Sequence, residues 1–251
     1  MMYRTCPICH KELNPVEFDV FGKKCLMPVS CQCEVDRMKQ EYAAIEQAQN
    51  KQKIQKIMRF ACIPARYANA SLKNFEQLPG TQAAFREALK FIKDQTWKKG
   101  QGLLFYGVTK GNGKTHLAAA IYNTISAMDV MSLFLVTTEF LDRIKATYSG
   151  RDKYTEADIL YWVAEADVVV LDDLGAERLT DTNQELIYKI VNKLYNARKS
   201  LVVTTNVDVE NMESNIGDRV HNRLLEMCLW VENKGWSYRR RIAERRLEGQ
   251  A

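Results

Sequence analysis

Gly111, Gly113, Lys114 and Thr115 stand in the run LLFYGVTKGNGKTHLAAAIYNTI, residues 103–125. Their types and spacing suit the binding of a nucleoside triphosphate. The two glycines let a loop turn its amides inward, and a helix opening at Lys114 adds its own free N–H groups, so the loop can hold phosphates. The Lys114 ammonium would reach the β- and γ-phosphates, and the Thr115 hydroxyl would ligate Mg²⁺. The whole candidate set is Gly107, Lys110, Gly111, Asn112, Gly113, Lys114, Thr115 and His116. One departure from the usual spacing is visible. Five residues rather than four separate Gly107 from Gly113, and Val108 takes the place where a glycine is expected.

Two further runs could complete the chemistry. DVVVLDD ends in Asp172 and Asp173. Asp172 would hold the Mg²⁺ shell, and Asp173 could orient or polarise an attacking water; two acids capping a turn would look the same. LVVTTN ends in Thr204, Thr205 and Asn206. Asn206 could touch the γ-phosphate or hold the water, with loop capping as the alternative. A separate chemistry is written at the N-terminus. Cys6-Pro-Ile-Cys9 and Cys31-Gln-Cys33 are two cysteine pairs around a short strand-like insert containing Phe18, Val20, Phe21, Leu26 and Val29. That is the form of a tetrahedral zinc site, with Cys25 or His10 as possible replacements for one ligand and free thiols as the alternative. The insert is too small to fold on apolar burial alone.

These residues need elements to carry them. The chain has 251 residues, is 46% hydrophobic and 27% charged, and carries a net charge of +5, which permits a core and allows a nucleic-acid partner. Seven cysteines, an odd number and clustered, favour metal over disulfides. No apolar run is long enough to span a bilayer and MMYRTCPICH has no apolar signal core, so a cytoplasmic protein is expected. Apolar runs predict strands at 103–106, 132–137, 167–173, 201–206 and 228–231. Helices are predicted at 81–96, from 114, from a Thr138 cap to 145, and at 155–165, 181–198 and 217–227. Alternating strands and helices give an α/β fold with a mainly parallel sheet and ligands at the strands' C-terminal ends. Three segments are expected: a zinc-binding module at 1–34, a helical linker at 35–62, and the nucleotide-binding domain at 63–251.

GxGKTHLA, VVVLDDLGAE, VVTTN, RVHNRLLEM and a closing SYRR together resemble the AAA+ helicase loaders of bacteria and their phages, most closely the DnaI/DnaC type. The resemblance implies a P-loop AAA+ three-layer αβα sheet without a full helical lid, preceded by the small zinc-binding domain and its connector helix. It places the Walker B roles on Asp172 and Asp173 and the sensor 1 role on Asn206. Many AAA+ proteins carry Glu where Asp173 stands, which together with the loop departure implies slow turnover. It makes Arg223 the arginine given to a neighbouring subunit's ATP, with Arg219 as the fallback, and likens Arg239 to sensor 2. The implied cofactors are ATP, Mg²⁺ and Zn²⁺. The implied partners are the replicative hexameric helicase, single-stranded DNA and further ATP-bound copies of the chain, with no membrane. Arg143, Lys145, Tyr148, Arg151, Lys153 and Tyr154 offer a possible DNA surface or a solvated loop, and Arg239, Arg240, Arg241, Arg245 and Arg246 a phosphate-binding cluster or a solvated helix end. An IstB-type transposition helper and a nucleotide-gated adaptor with little hydrolysis are the competing readings.

Overall fold

The computed structural model describes residues 4–27, 29–42, 45, 63–149, 154–176 and 179–249. The chain divides into two compact units, Met1–Gln55 and Lys56–Ala251.

The first unit is built on hairpins. β1 (Arg4–Thr5) pairs antiparallel with β2 (Glu12–Leu13), and β3 (Val16–Val20) with β4 (Lys23–Met27). A helix, α1 (32–42), starts within the second cysteine pair and carries Cys33. Its first turn is capped reciprocally: Glu34 N–H donates to the Cys31 carbonyl and Cys31 N–H donates to the Glu34 carboxylate. The expected insert is therefore a β-hairpin, and its apolar residues are not a core, since Val16, Phe18, Phe21, Leu26 and Met27 are all exposed. Residues 35–42 of the segment expected as a linker are helical, and most of the rest of that segment lies outside the described residues.

The second unit is a three-layer α/β domain. β5 (Gly102–Tyr106), β6 (Ser132–Val136), β7 (Val168–Asp172), β8 (Ser200–Thr204) and β9 (Cys228–Glu232) form one parallel sheet in the order β6-β7-β8-β5-β9. Each strand lies within two residues of an apolar run read from the sequence. The side-chain period of two divides the central strands between two cores. Val169, Leu171, Leu201 and Val203 face α4 (Thr137–Tyr148), α5 (Glu156–Glu165), α6 (Asp181–Asn196), α7 (Val209–Ile216) and α8 (Asp218–Met227). Val168, Val170, Val202 and Phe105 face α2 (Gln82–Lys93) and α3 (Lys114–Ser126). Burial on both faces explains why these strands read as unbroken apolar runs.

Local chemistry sets the helix starts. Thr155 and Asp158 form a capping box that opens α5, and Thr180 caps α6. α7 was not read from the sequence, although Asp208 caps it by accepting from Asn211 N–H. The expected cap at Thr138 is wrong by two residues and in kind, since the capping position is Val136 and no side chain caps it. The helix begins at Thr137, whose hydroxyl instead donates to the Asp172 carbonyl at 2.8 Å and ties the end of β6 to the end of β7. After β9 comes one helix, α9 (Tyr238–Leu247). No helix among the described residues is long and apolar enough to cross a membrane.

Candidate active site and metal centre

The strand order brings the C-terminal ends of β7, β8 and β5 side by side, and a cavity of about 310 Å³ opens there. Its walls include Lys110, the loop and helix start from Gly111 to His116, Asp173, Asn206 and Arg239. Arg66 and Phe75, from the segment that enters the domain, supply another side.

The loop is held from behind. Asn112 and Asn233, both buried, exchange amide bonds: Asn112 Nδ2 donates to the Asn233 carbonyl at 2.6 Å and Asn233 Nδ2 to the Asn112 carbonyl at 3.1 Å. A Cβ on Gly107 would stand 2.7 Å from that same Asn233 carbonyl, at a φ of +142°. Gly107 is thus the point where the loop passes the chain leaving β9. Gly113 opens α3 at φ +96°, and a Cβ there would meet the Phe75 ring at 2.6 Å. His116 turns toward the entering segment, its Nε2 within 3.1 Å of the Ser71 carbonyl and 3.0 Å of Asn74 Oδ1.

Lys114 is buried at the centre of this loop. Its Nζ donates to the carbonyls of Gly107 (2.7 Å) and Thr109 (3.1 Å) and to Asn112 Oδ1 (3.1 Å). Burial pulls its pKa down to about 8, against the pull of Asp173 and Asp172 in the other direction. A buried ammonium turned onto loop carbonyls is a cation awaiting an anion.

The two acids have different surroundings. Asp172 is 5% exposed, and burial raises its pKa although hydroxyls of Thr204 and Thr115 donate to it. The Thr204 bond is 2.6 Å long. A buried carboxylate beside a threonine hydroxyl at the head of α3 is a fitting pair of ligands for Mg²⁺. Asp173 sits in the left-handed region at φ 59°, which turns it away from the strand into the cavity. Its backbone N–H donates to Thr204 Oγ1 at 2.9 Å, and its Oδ1 accepts from Asn206 Nδ2 at 2.7 Å. One hydroxyl, Thr204, therefore spans both acids, and one amide, Asn206, aims the outer one.

The arginines fall in two places. Arg239, near the start of α9, passes its side chain against Gly111 at the cavity rim. A full lid is therefore unnecessary to bring it there, because Tyr238 N–H donates to the Gly111 carbonyl at 2.9 Å and docks the helix on the loop. Arg223 does not line the cavity. It lies over the Tyr195 ring at 4.1 Å and contacts Glu226 at 3.3 Å, while Arg219 lies over Tyr188 at 3.7 Å. Both arginines are thus laid over tyrosines of α6. The Tyr148–Tyr154 region is less available than its composition suggests. The Tyr148 hydroxyl donates to Glu156, and Tyr154 packs edge-on against Trp162 at 4.7 Å. Arg151 and Lys153 lie outside the described residues.

In the first unit Cys6, Cys9, Cys31 and Cys33 gather so that their sulfurs all lie within 4.8 Å of one another. Tetrahedral zinc with bonds of 2.3 Å would set its sulfurs about 3.8 Å apart, so the four thiols fit it. Ile8 N–H donates to Cys6 Sγ at 3.4 Å, the kind of support a thiolate needs. The crowding splits the thiols: backbone N–H donation at Lys11 and the neighbouring thiols bring Cys9 down to about 7, while Cys9 and Cys31 push Cys33 up to about 12. Cys25, on β4 opposite Phe18, and His10 lie outside the cluster.

Three site residues were not found in the sequence reading. Thr204 was noted only as a polar strand end, Asn233 not at all, and Phe75 only as the end of the entering segment. Each acts through a partner far away in sequence, so local spacing carries no sign of it.

Residues 33–246 match the family described as IstB-like ATP binding protein. The chain is 26% identical over 191 residues to the replicative helicase loader DnaC of Buchnera aphidicola subsp. Acyrthosiphon pisum (strain APS), covering 76% of this chain and 77% of that one. To the replicative helicase loader DnaC of Escherichia coli (strain K12) it is 25% identical over 202 residues, covering 80% and 81%. A crystal structure of the DnaC helicase loader superposes with a TM-score of 0.61 at 30% identity, covering 68% of this chain and all of that one.

Proposed function

This chain belongs to the IstB-like ATP-binding protein family, and from that premise we propose that it is a helicase loader that uses ATP to place a replicative hexameric helicase on single-stranded DNA. The observation that carries this is the joining of Lys114, Thr115, Asp173 and Asn206 at one cavity, with Asp172 buried against Thr115, in a chain whose relatives are replicative helicase loaders.

In this reading Lys114 leaves the carbonyls of Gly107 and Thr109 for the β- and γ-phosphates, and the amides from Gly111 to Thr115 hold the remaining oxygens. Thr115 and Asp172 would hold Mg²⁺, which would neutralise phosphate charge. Asp173, aimed by Asn206, orients the attacking water, and Arg239 closes the rim. Asp173 is one methylene shorter than glutamate and is fixed in a left-handed backbone, which supports slow turnover. Arg223 completes the site of a neighbouring copy, so ATP binding favours self-association. Residues 1–34 form a zinc-bound module, 35–62 link it, and 63–251 form the ATPase domain. The module's exposed hairpin face of Val16, Phe18 and Met27 supports its use in holding the helicase.

A pull-down of the replicative helicase with the full chain, with and without Mg-ATP, tests the reading. ATP-dependent capture is the expected result, and deletion of residues 1–50 should abolish it while sparing nucleotide binding. Absence of capture in both conditions would remove the loader reading. An ATPase rate indistinguishable from zero, with capture intact, would make the protein an ATP-gated adaptor.

The metal is tested separately. The purified chain is expected to hold about one zinc per copy by elemental analysis, since a module whose buried cluster is little more than Leu13 and its cysteines depends on its metal. Cys33→Ser should lose the metal and Cys25→Ser should keep it; the reverse pattern would refute the ligand set.

Nucleotide binding should also move protons. Lys114 is half protonated near pH 8 in the free protein and becomes fully protonated against phosphates, so binding takes up about half a proton at pH 8. Affinity should fall as pH rises above 8. Stability runs the other way: the unfolded chain, with Lys114 at its ordinary 10.5, binds more protons between pH 8 and 10.5, so this residue adds stability as pH climbs through that window. Calorimetry in two buffers of different ionisation enthalpy reads the uptake. Proton release, or none, would contradict it.

A further inference from the structure

The tip of the phosphate loop has a second side. Val108, Thr109 and Lys110 face a groove of about 920 Å³ whose opposite wall carries Trp236, Ser237 and Arg240. Trp236 is 77% exposed and Val108 64%. Large aromatic rings left in water on a domain surface are uncommon, and this one stands on a rigid mount. The residue three before it, Asn233, is buried in the amide exchange with Asn112. The residue two after it, Tyr238, donates its N–H to the Gly111 carbonyl at 2.9 Å. Gly235, immediately before the tryptophan, is packed so tightly that a Cβ would lie 2.3 Å from the Thr81 methyl. The backbone is pinned on both sides and the indole is displayed between the pins.

The charge around the ring is positive. Lys110, Lys234, Arg240 and Arg241 line the groove with a single carboxylate, Glu244. Lys234 is paired with Glu232 at 3.1 Å and Arg241 with Glu76 at 2.6 Å, both pairs partly exposed. Lys110 and Arg240 have no ion pair among the described residues. A flat aromatic face beside two unneutralised cations suits a flexible polyanion that carries flat rings of its own. An apolar peptide would strand both cations, and a duplex would not offer an unstacked base.

We infer that the Trp236 groove binds single-stranded nucleic acid, with a base stacked on the indole and backbone phosphates held by Lys110 and Arg240. The inference deepens the loader reading and rests on it, since that reading supplies the need for a strand. It also places the strand against the nucleotide site, because Lys110 lines both the groove and the cavity and α9 is docked on Gly111. ATP and the strand therefore share one loop, and whatever factor ATP adds to strand affinity the strand must add to ATP affinity.

The test uses the full chain with Mg-ATP and a fluorescein-labelled oligothymidylate, read by anisotropy over a series of salt concentrations. Trp236→Ala is expected to weaken binding by about 5- to 100-fold, the loss of one stacked base, with Trp236→Phe recovering most of it. Arg240→Ala should reduce the slope of log affinity against log salt by about 0.7, one phosphate contact. Both variants should bind ATP as the parent does in the absence of the strand. If Trp236→Ala and Arg240→Ala bind the oligonucleotide as the parent does, with an unchanged slope, the groove is not the strand site, though the loader reading stands. A parent chain that fails to bind the strand with ATP present overturns the groove and the DNA part of the reading together. Loss of helicase capture in Trp236→Ala, with strand binding intact, would make the groove a protein-docking surface and refute the inference.

Discussion

Asp173→Asn should bind ATP and Mg²⁺ like the parent and hydrolyse ATP about 10²- to 10⁴-fold more slowly, the usual contribution of a positioned base. The substitution is clean because the site tolerates its shape. Asparagine adopts the left-handed backbone that Asp173 occupies at φ 59°, and its amide oxygen can still accept from Asn206. The backbone N–H to Thr204 is untouched, so Asp172 keeps its own hydroxyl partner. Only the negative charge facing the water is lost. Lys114→Ala is the contrasting control: it removes the buried ammonium and should weaken nucleotide binding itself. Single-turnover hydrolysis with saturating ATP separates the two. A normal rate for Asp173→Asn would pass the role to another acid, with Glu177, outside the described residues, as the first to try.

Arg223→Ala is expected to leave ATP binding unchanged and to lower hydrolysis by about 10³- to 10⁵-fold, the range found when an arginine supplied to a phosphoryl-transfer site is removed. Within one copy Arg223 cannot play this part, because it lies over Tyr195 and beside Glu226 and does not line the cavity. That placement is also what a purely structural arginine would show, so the decisive readout is complementation. Arg223→Ala offers an intact phosphate loop, and Lys114→Ala offers an intact arginine. Each should be inactive alone, and a mixture should regain part of the activity. A structural arginine predicts no recovery on mixing and a melting temperature lowered by the loss of the Tyr195 stack. Full activity of Arg223→Ala alone would exclude any catalytic part.

How far the sequence discloses this arrangement depends on the range of each interaction. The phosphate loop was legible because strand, glycines, lysine and helix lie in one continuous run. The ends of β7 at Asp172 and of β8 at Thr204 were legible to within two residues, because apolar runs buried on both faces stop where polar residues begin. The cysteine cluster was legible from paired spacing, although the tightness of Cys31-Gln-Cys33 left Cys25 and His10 open until the thiols were seen together. The support of the site was not legible. Asn112 and Asn233 lie 121 residues apart, and nothing in either neighbourhood marks one for the other. Thr138 resembled a helix cap because threonine often is one, but the helix already begins at Thr137, whose hydroxyl is taken by the Asp172 carbonyl on the next strand. Arg239 seemed to lack an element to carry it, since a short tail cannot build a lid; a ten-residue helix resting on Gly111 does the same positioning.

The strand order has a consequence for the birth of the protein. β5 carries the phosphate loop and is made before the other four strands of its sheet, yet its two neighbours are β8 and β9, the last two to be made. On the ribosome both edges of β5 stay unpaired until residues 200–204 and 228–232 have emerged, and the loop gains its Asn233 clasp only after that. Such late, distant pairing makes folding slow and leaves apolar edges open in the interval. It also means that a nascent chain cannot assemble the ATP site before Asn233 has emerged, so competence to bind nucleotide waits for β9 and the residue after it.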